Sequence, residues 1–247
     1  MKTLDISFAE PALNLACDEI LLEEVDSGVR EPTLQFWESS TTFVVIGYGN
    51  DLDRECRVFE CEKHGIPIFR RASGGGTVLQ GPGCLNYSLI LKIGQAEETL
   101  NIGKTNCHVM KTNRDALGQA LDQKVEIEGH TDLAIDGVKF SGNAQRRKKN
   151  ALLFHGTVLL DFDLSLISLT LRTPSFESEY REGRPHDEFC RNISLSVDAV
   201  KRALGQAWRI TDQGPPIDVA KVQRLAKQKY SDPNWTRRRT NLGQSSE

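Results

Sequence analysis

The dipeptide Asp136-Gly137, set between Leu133-Ala134-Ile135 and Val138-Lys139-Phe140, constrains this chain more than any other feature. A two-residue connection between apolar runs needs positive φ at both positions, and Asp-Gly is one of the few pairs that accept it. The spacing therefore predicts a tight β-hairpin with Lys139 on its return strand. Other strand-like runs precede it at 34–37, 43–46, 66–70 and 85–91, and several short strands extend over 125–160, broken by the turn and by the basic loop 146–149. Helical periodicity falls at 13–25, 52–63, 105–121, 195–208 and 217–229; in the first, Leu13, Cys17, Ile20, Leu21 and Val25 share one face. Strand runs mixed with flanking helices, without strict βαβ alternation, predict an α+β fold with a mixed or antiparallel sheet.

The chain's 247 residues suit one large domain with at most a small appendage. A net charge of -3 leaves no electrostatic footprint for nucleic acid or an anionic membrane. The N-terminus lacks an apolar export signal, and the run 43–46 is far shorter than the roughly 18 residues of a membrane span, so a cytoplasmic protein is expected. Its six cysteines are then expected as thiols, and with no CxxC pair among them a metal site is not expected. From Asp232 onward the sequence is almost free of apolar residues, which predicts a mobile basic and polar tail.

Three segments could carry chemistry. Arg70-Arg71-Ala72-Ser73-Gly74-Gly75-Gly76-Thr77 joins two arginines to three glycines whose bare backbone can form an anion-binding concavity. It also fits a flexible surface loop, and it matches neither common nucleotide-binding glycine motif. Asp136-Gly137-Val138-Lys139-Phe140-Ser141-Gly142-Asn143-Ala144 puts an ammonium beside a Ser-Gly-Asn turn, an arrangement that could hold phosphate or simply place an edge charge. His155, followed by Gly156 in Leu152–Leu160, is either a catalytic group or a satisfied core histidine. Arg146-Arg147-Lys148-Lys149 reads as a solvated loop, or as recognition of an acidic partner.

In this order, RRASGGGTV with LNYS, GVKFSGNAQ and HGTVLLDFDL resemble the lipoate–protein ligase and octanoyltransferase family, which is related to biotin–protein ligases, and come nearest to its lipoate–protein ligase A branch. The resemblance takes in Asn14-Leu15-Ala16-Cys17-Asp18-Glu19, Val45-Ile46-Gly47, His64-Gly65-Ile66-Pro67, Lys229-Tyr230 and Trp235, and so covers residues 1–235 as a catalytic domain, with 236–247 as the tail. It implies a mixed, largely antiparallel sheet flanked by helices, an acyl tunnel, activation of lipoate or octanoate by ATP with Mg2+, and transfer of the acyl group to a lysine of a lipoyl domain. Carried onto this sequence, Arg71, Ser73, Gly74, Gly75, Gly76 and Thr77 form the acyl-adenylate loop, and Asn86 lies beneath it. Lys139 contacts the carbonyl and α-phosphate oxygens, and Asp132, Ser141, Gly142, Ala144, His155 and Gly156 complete the binding set.

Gly129-His130-Thr131-Asp132-Leu133 and Gly47-Tyr48-Gly49-Asn50 depart from the family's usual segments, so different adenine and ribose contacts are expected. The sequence also lacks the small C-terminal domain of many such ligases, which implies either a separate accessory subunit or a ready-made acyl donor. The rival is an ATP-independent acyltransferase that takes octanoyl from a carrier protein through a cysteine thioester, or accepts an acyl group from another lipoyl domain. That reading needs a thiolate in the site. Cys84 is the only thiol near a motif, and it reads as packing. A third reading is a non-catalytic subunit that binds an acyl group or nucleotide.

Overall fold

The computed structural model of the chain describes residues 1–238. Its elements run β1 (Lys2–Asp5), α1 (Pro11–Asp26), β2 (Thr33–Glu38), β3 (Phe43–Ile46), α2 (Leu52–Glu55), α3 (Val58–Lys63), β4 (Ile68–Arg70), β5 (Val78–Gln80), β6 (Cys84–Lys92) and α4 (Ile102–Leu121), then β7 (Glu126–Glu128), β8 (Asp132–Ile135), β9 (Val138–Arg147), β10 (Ala151–Leu159), α5 (Ser165–Thr170), α6 (His186–Phe189), α7 (Val197–Ala207), β11 (Asp212–Gln213), α8 (Val219–Leu225) and α9 (Pro233–Arg237). Eight strands form one sheet in the order β11-β1-β2-β6-β10-β9-β8-β7, parallel across the first three and antiparallel beyond. A second sheet, β4-β3-β5, lies apart from it. The fold is α+β, with a mixed and largely antiparallel sheet flanked by helices, as expected.

Pairing register decides what each face of the large sheet presents. Gln35, Ser88, His155 and Ala144 form one row across β2, β6, β10 and β9, and Trp37, Asn86, Thr157 and Gly142 form the next. Because side chains alternate along a strand, both rows share a face. Trp37, Ile90 and Leu153 of that face pack with Leu15, Ala16 and Leu21 of α1. The alternate residues Leu34, Phe36, Tyr87, Leu89, Leu152 and Phe154 pack with Val109 and Leu117 of α4 and Val200 and Leu204 of α7. A strand face that is apolar toward one helix pair but studded with Ser, Asn, Thr and His toward the other is buried on both sides for different reasons.

The predicted hairpin is present: Asp136 has φ +51° and Gly137 φ +71°. Beyond the turn, Leu133 pairs with Ser141 but Ala134 pairs with Lys139, so one residue of β9 is extra. This bulge inverts the alternation. Phe140 goes into the core against α4 and α7, and Lys139 lies on the same side as Gly142 and Ala144.

Some elements differ from the sequence reading. The helix expected over 52–63 is broken at Cys56, whose backbone bridges Leu171, while the Arg57 amide donates to the Thr170 carbonyl; a tertiary pairing has displaced local helix preference. The expected tail from Asp232 begins instead with α9. Trp235 donates from its indole to the Arg70 carbonyl at 2.8 Å, and Thr236 is buried. The remaining tail residues, 239–247, lie outside the described residues. No helix among the described residues is long and apolar enough to cross a membrane.

Candidate active site

A cavity of about 490 Å³ opens between the polar face of the large sheet, the glycine-rich segment and the segment after α5. Arg71, Gly75, Gly76, Thr77, Asn86, Asp132, Lys139, Ser141, Gly142, Ala144, His155 and Gly156 line it; Ser73 and Gly74 do not. The structure thus brings together residues from β6, β8, β9, β10 and the loop before β5.

Glycine is required twice where this loop is clamped. Gly75 has φ +84°, and a Cβ there would sit 2.9 Å from Arg71 Nη2 and 3.1 Å from the Ala144 Cβ. A Cβ on Gly47 would lie 2.0 Å from the Gly75 carbonyl oxygen. The Arg71 side chain curls back into its own loop: Nη2 donates to the Gly74 and Gly76 carbonyls, each at 2.7 Å, and Nε donates to Gly74 at 3.1 Å. Burial lowers the Arg71 pKa to about 10. With these carbonyls taken, the amides of Gly74, Gly75 and Gly76 donate to no acceptor among the described residues. The three glycines are exposed, so their N–H groups are open to an acceptor from outside, and a run of bare amides suits an anion.

Lys139 supplies the second half. A Cβ on Gly142 would lie 2.7 Å from Lys139 Nζ, so the ammonium lies across the bare face of Gly142. Gly75 touches Ala144 on the same side of the same strand. Positions 142 and 144 are one pleat apart, about 7 Å along a strand. The ammonium and the Gly75 backbone therefore lie over the same face of β9, about one pleat apart. Asp132 Oδ1 pairs with Lys139 Nζ at 2.8 Å, and Tyr180 donates to Asp132 Oδ2 at 2.8 Å. Burial and the Asp132 carboxylate push the Tyr180 phenol well above its ordinary range.

The floor is held by closed hydrogen-bond sets. Gln80 Nε2 donates to Thr157 Oγ1 (2.6 Å), Thr157 donates to Asn86 Oδ1 (2.7 Å), and Asn86 Nδ2 donates back to Gln80 Oε1 (2.9 Å). Behind Gly156, Tyr87 donates to Asn143 Oδ1 at 2.5 Å, and Asn143 Nδ2 donates to the Thr131 carbonyl at 2.8 Å. At the mouth, the exposed Phe176 ring lies parallel to His130, with centroids 6.3 Å apart.

Two readings from sequence are corrected. Arg70 is not available to a ligand: its buried guanidinium donates to the carbonyls of Gly47, Tyr48, Asn50, Thr236 and Arg238 and fastens α9 to the β3–α2 connection. The basic loop is not simply solvated, although Lys149 is exposed. Arg146 donates to the Ala72 carbonyl (2.9 Å), Arg147 to the Thr99 carbonyl (2.5 Å), and Lys148 pairs with Glu23 (2.9 Å). Cys84 is fully buried in a separate core, and burial pushes its thiol well above the ordinary range.

Two residues that the sequence reading gave no role bear on the site, one lining the cavity and one behind His155. Cys190 lines the cavity and its backbone bridges Lys139; burial raises its thiol pKa while Lys139 pulls the other way. No local signal marks it, because it lies far along the chain from every motif. Asp18 accepts from His155 Nδ1 at 2.9 Å. It stands one turn after Asn14 in α1, and its burial at 4% is the signal that a sequence does not carry.

The arrangement is an α+β scaffold whose cavity sets a lysine ammonium and exposed glycine amides over one strand. The family model described as the lipoyl protein ligase A/B catalytic domain matches residues 10–210, and the chain belongs to that family. It is 30% identical over 243 residues to the lipoate-protein ligase LplJ of Bacillus subtilis, covering 92% of this chain and 70% of that protein. It is 25% identical over 278 residues to the octanoyltransferase LipM of Halalkalibacterium halodurans, covering 96% of this chain and 99% of that protein. In fold it is similar to a lipoate-protein ligase A solved with ATP bound, with a TM-score of 0.81 and 23% identity over 96% of this chain and 98% of that one. It is similar also to a bipartite lipoate protein ligase of Thermoplasma acidophilum, studied with its E2 lipoyl domain, at a TM-score of 0.76, 22% identity and 98% coverage of both chains.

Proposed function

We propose that this chain is a lipoate–protein ligase: it activates lipoate, or octanoate, with ATP to an acyl adenylate and passes the acyl group to a lysine of a lipoyl domain. The observation that carries this reading is the placement of the Lys139 ammonium beside the unpartnered amides of Gly75 and Gly76, over adjacent same-face positions of β9. In the first step the acyl carboxylate attacks the α-phosphorus of ATP and pyrophosphate leaves. In the second, the neutral amine of the acceptor lysine attacks the carbonyl carbon, AMP leaves, and the amine loses a proton. Negative charge grows on α-phosphate oxygens first and on the carbonyl oxygen second, and fixed N–H groups with one ammonium stabilise both without reorganising. Mg2+ would arrive on the nucleotide and neutralise the leaving pyrophosphate there. His130 and Phe176 provide a flat aromatic surface at the mouth on which a base can stack. An accessory subunit is part of this reading, in view of the bipartite neighbour.

A second reading is favoured by Cys190. A thiol in the same cavity as Lys139 could accept an acyl group from a carrier-protein thioester, the carrier's thiolate leaving with the proton, and then yield it to the acceptor lysine without ATP. Similarity to LipM gives it weight. Mass spectrometry of a lipoyl domain incubated with the protein separates the two. Modification with lipoate plus ATP, unaffected by Cys190→Ser, supports the ligase. Modification from octanoyl carrier protein without ATP, abolished by Cys190→Ser, replaces it with the transferase.

A further inference from the structure

The glycine loop is anchored at its two entry residues by two neighbouring carboxylates of α1. Glu19 holds one side: its carboxylate accepts from Lys229 (2.6 Å) and Tyr230 (2.7 Å) and lies 3.5 Å from Arg146, which donates to the Ala72 carbonyl. Asp18 reaches the next residue by another route. Asp18 Oδ1 accepts from Ser88 (2.7 Å), Oδ2 faces His155 Nδ1 (2.9 Å), and His155 Nε2 stands 2.6 Å from Ser73 Oγ.

A carboxylate can only accept, so Nδ1 must carry a proton. In the neutral imidazole Nε2 is then bare, and the Ser73 hydroxyl donates to it. The connectivity is that of an acid–imidazole–hydroxyl nucleophile array, in which the imidazole withdraws the serine proton. Burial argues otherwise. Ser73 is 2% exposed and does not line the cavity, whereas His155 does. The serine's oxygen is turned to the imidazole behind the loop, and its carbonyl accepts from the Tyr48 amide at 2.8 Å.

We propose that Asp18 is a positioning residue for the acyl-adenylate loop: it fixes the tautomer and ring plane of His155, which fixes Ser73 and through it the amide row of residues 74–76. The role rests on the ligase reading for what the loop binds, but not for the geometry itself. Preordering the loop removes the entropy of arranging those amides at the moment of binding, and a misplacement of 1 Å would cost on the order of 100-fold in rate.

The test is made on the full chain with two readouts that do not require activity. In protein labelled with 15N-histidine, His155 (assigned with His155→Gln) is expected to carry a proton on Nδ1, the nitrogen that faces Asp18. The opposite tautomer overturns the proposal. Amide hydrogen exchange is then followed in the wild type, Asp18→Ala, Ser73→Ala and the double variant. Each single change should speed exchange of the Tyr48 amide, which donates to the Ser73 carbonyl, about tenfold while α7 is unaffected, and the double variant should exchange no faster than Ser73→Ala. Additive effects, or acceleration spread evenly over the molecule, would show that Asp18 does not act through Ser73. If Asp18→Ala does not fold, the wild-type tautomer decides alone. An acyl ester found on Ser73 after exposure to an acyl adenylate would make the serine a nucleophile and overturn the positioning role. Where the active ligase is in hand, Asp18→Ala should raise the KM for the acyl acid more than it lowers kcat; failure of all turnover in the wild type counts against the ligase reading and leaves the loop measurements standing.

Discussion

Replacing Lys139 with alanine removes one ammonium from above Gly142 and breaks its 2.8 Å contact with Asp132. The side chains of this pair are 24% and 18% exposed, and Asp132 keeps the Tyr180 hydroxyl as a partner. Partly solvated pairs contribute about 0–1 kcal/mol, so Tm should move by no more than about 2–4 °C in a chain of this size. Catalysis should respond on a different scale. Losing one preorganised donor to a developing negative charge costs about 3–4 kcal/mol, a drop of roughly 100- to 1000-fold in kcat. The assay is lipoate-dependent pyrophosphate release from ATP, read alongside the mass of an acceptor lipoyl domain, with any accessory subunit of the source organism present. Far-ultraviolet circular dichroism checks the fold in parallel. A variant that keeps more than about a tenth of the wild-type rate, a barrier change of only about 1.4 kcal/mol, would remove Lys139 from the chemistry.

In the ligase, Cys190→Ser should leave ATP-dependent transfer within about twofold of wild type, since acyl adenylate chemistry needs no thiolate; steady-state rates check this. Gly156→Ala would set a Cβ 1.7 Å from Asn143 Oδ1, so it should cost about 1–3 kcal/mol, seen as a lower denaturation midpoint without change in slope. Although burial pulls the other way, hydrogen bonds from Lys229 and Tyr230 lower the Glu19 pKa below its ordinary 4.5. A depressed carboxylate stabilises the fold above that ordinary value and ceases to do so as pH falls through the lower folded one. Glu19→Gln should therefore lose Tm at neutral pH and show a shallower decline of Tm between neutrality and acid pH than the wild type.

What the sequence disclosed and what it withheld divide along a physical line. The Asp136-Gly137 turn was legible because positive φ at two successive residues selects few dipeptides, and its hairpin put Lys139 on a strand. The face Lys139 occupies was not legible. It depends on the extra residue opposite Leu133 and Ala134, a register shift that local periodicity cannot reveal. The glycines of 74–76 marked a loop with a bare backbone, yet Arg70 was misread, because its guanidinium is spent on backbone carbonyls brought near only by folding. Arg146 was misjudged for the same reason: adjacent basic residues look solvated until a distant carbonyl at Ala72 is placed beside them. Cys190 reaches the cavity, and Asp18 reaches His155 behind it, through long-range packing that local periodicity does not foretell.

Crystallography of the protein soaked with the acyl adenylate, or with a stable analogue bearing a sulfamoyl group at the phosphate, tests the joint anion site most directly. The α-phosphate, or the group replacing it, should lie within hydrogen-bond distance of Lys139 Nζ and of the Gly75 or Gly76 amide together. Electron density for that group elsewhere in the cavity, with Lys139 still on Asp132 and the glycine amides unpartnered, would contradict the account.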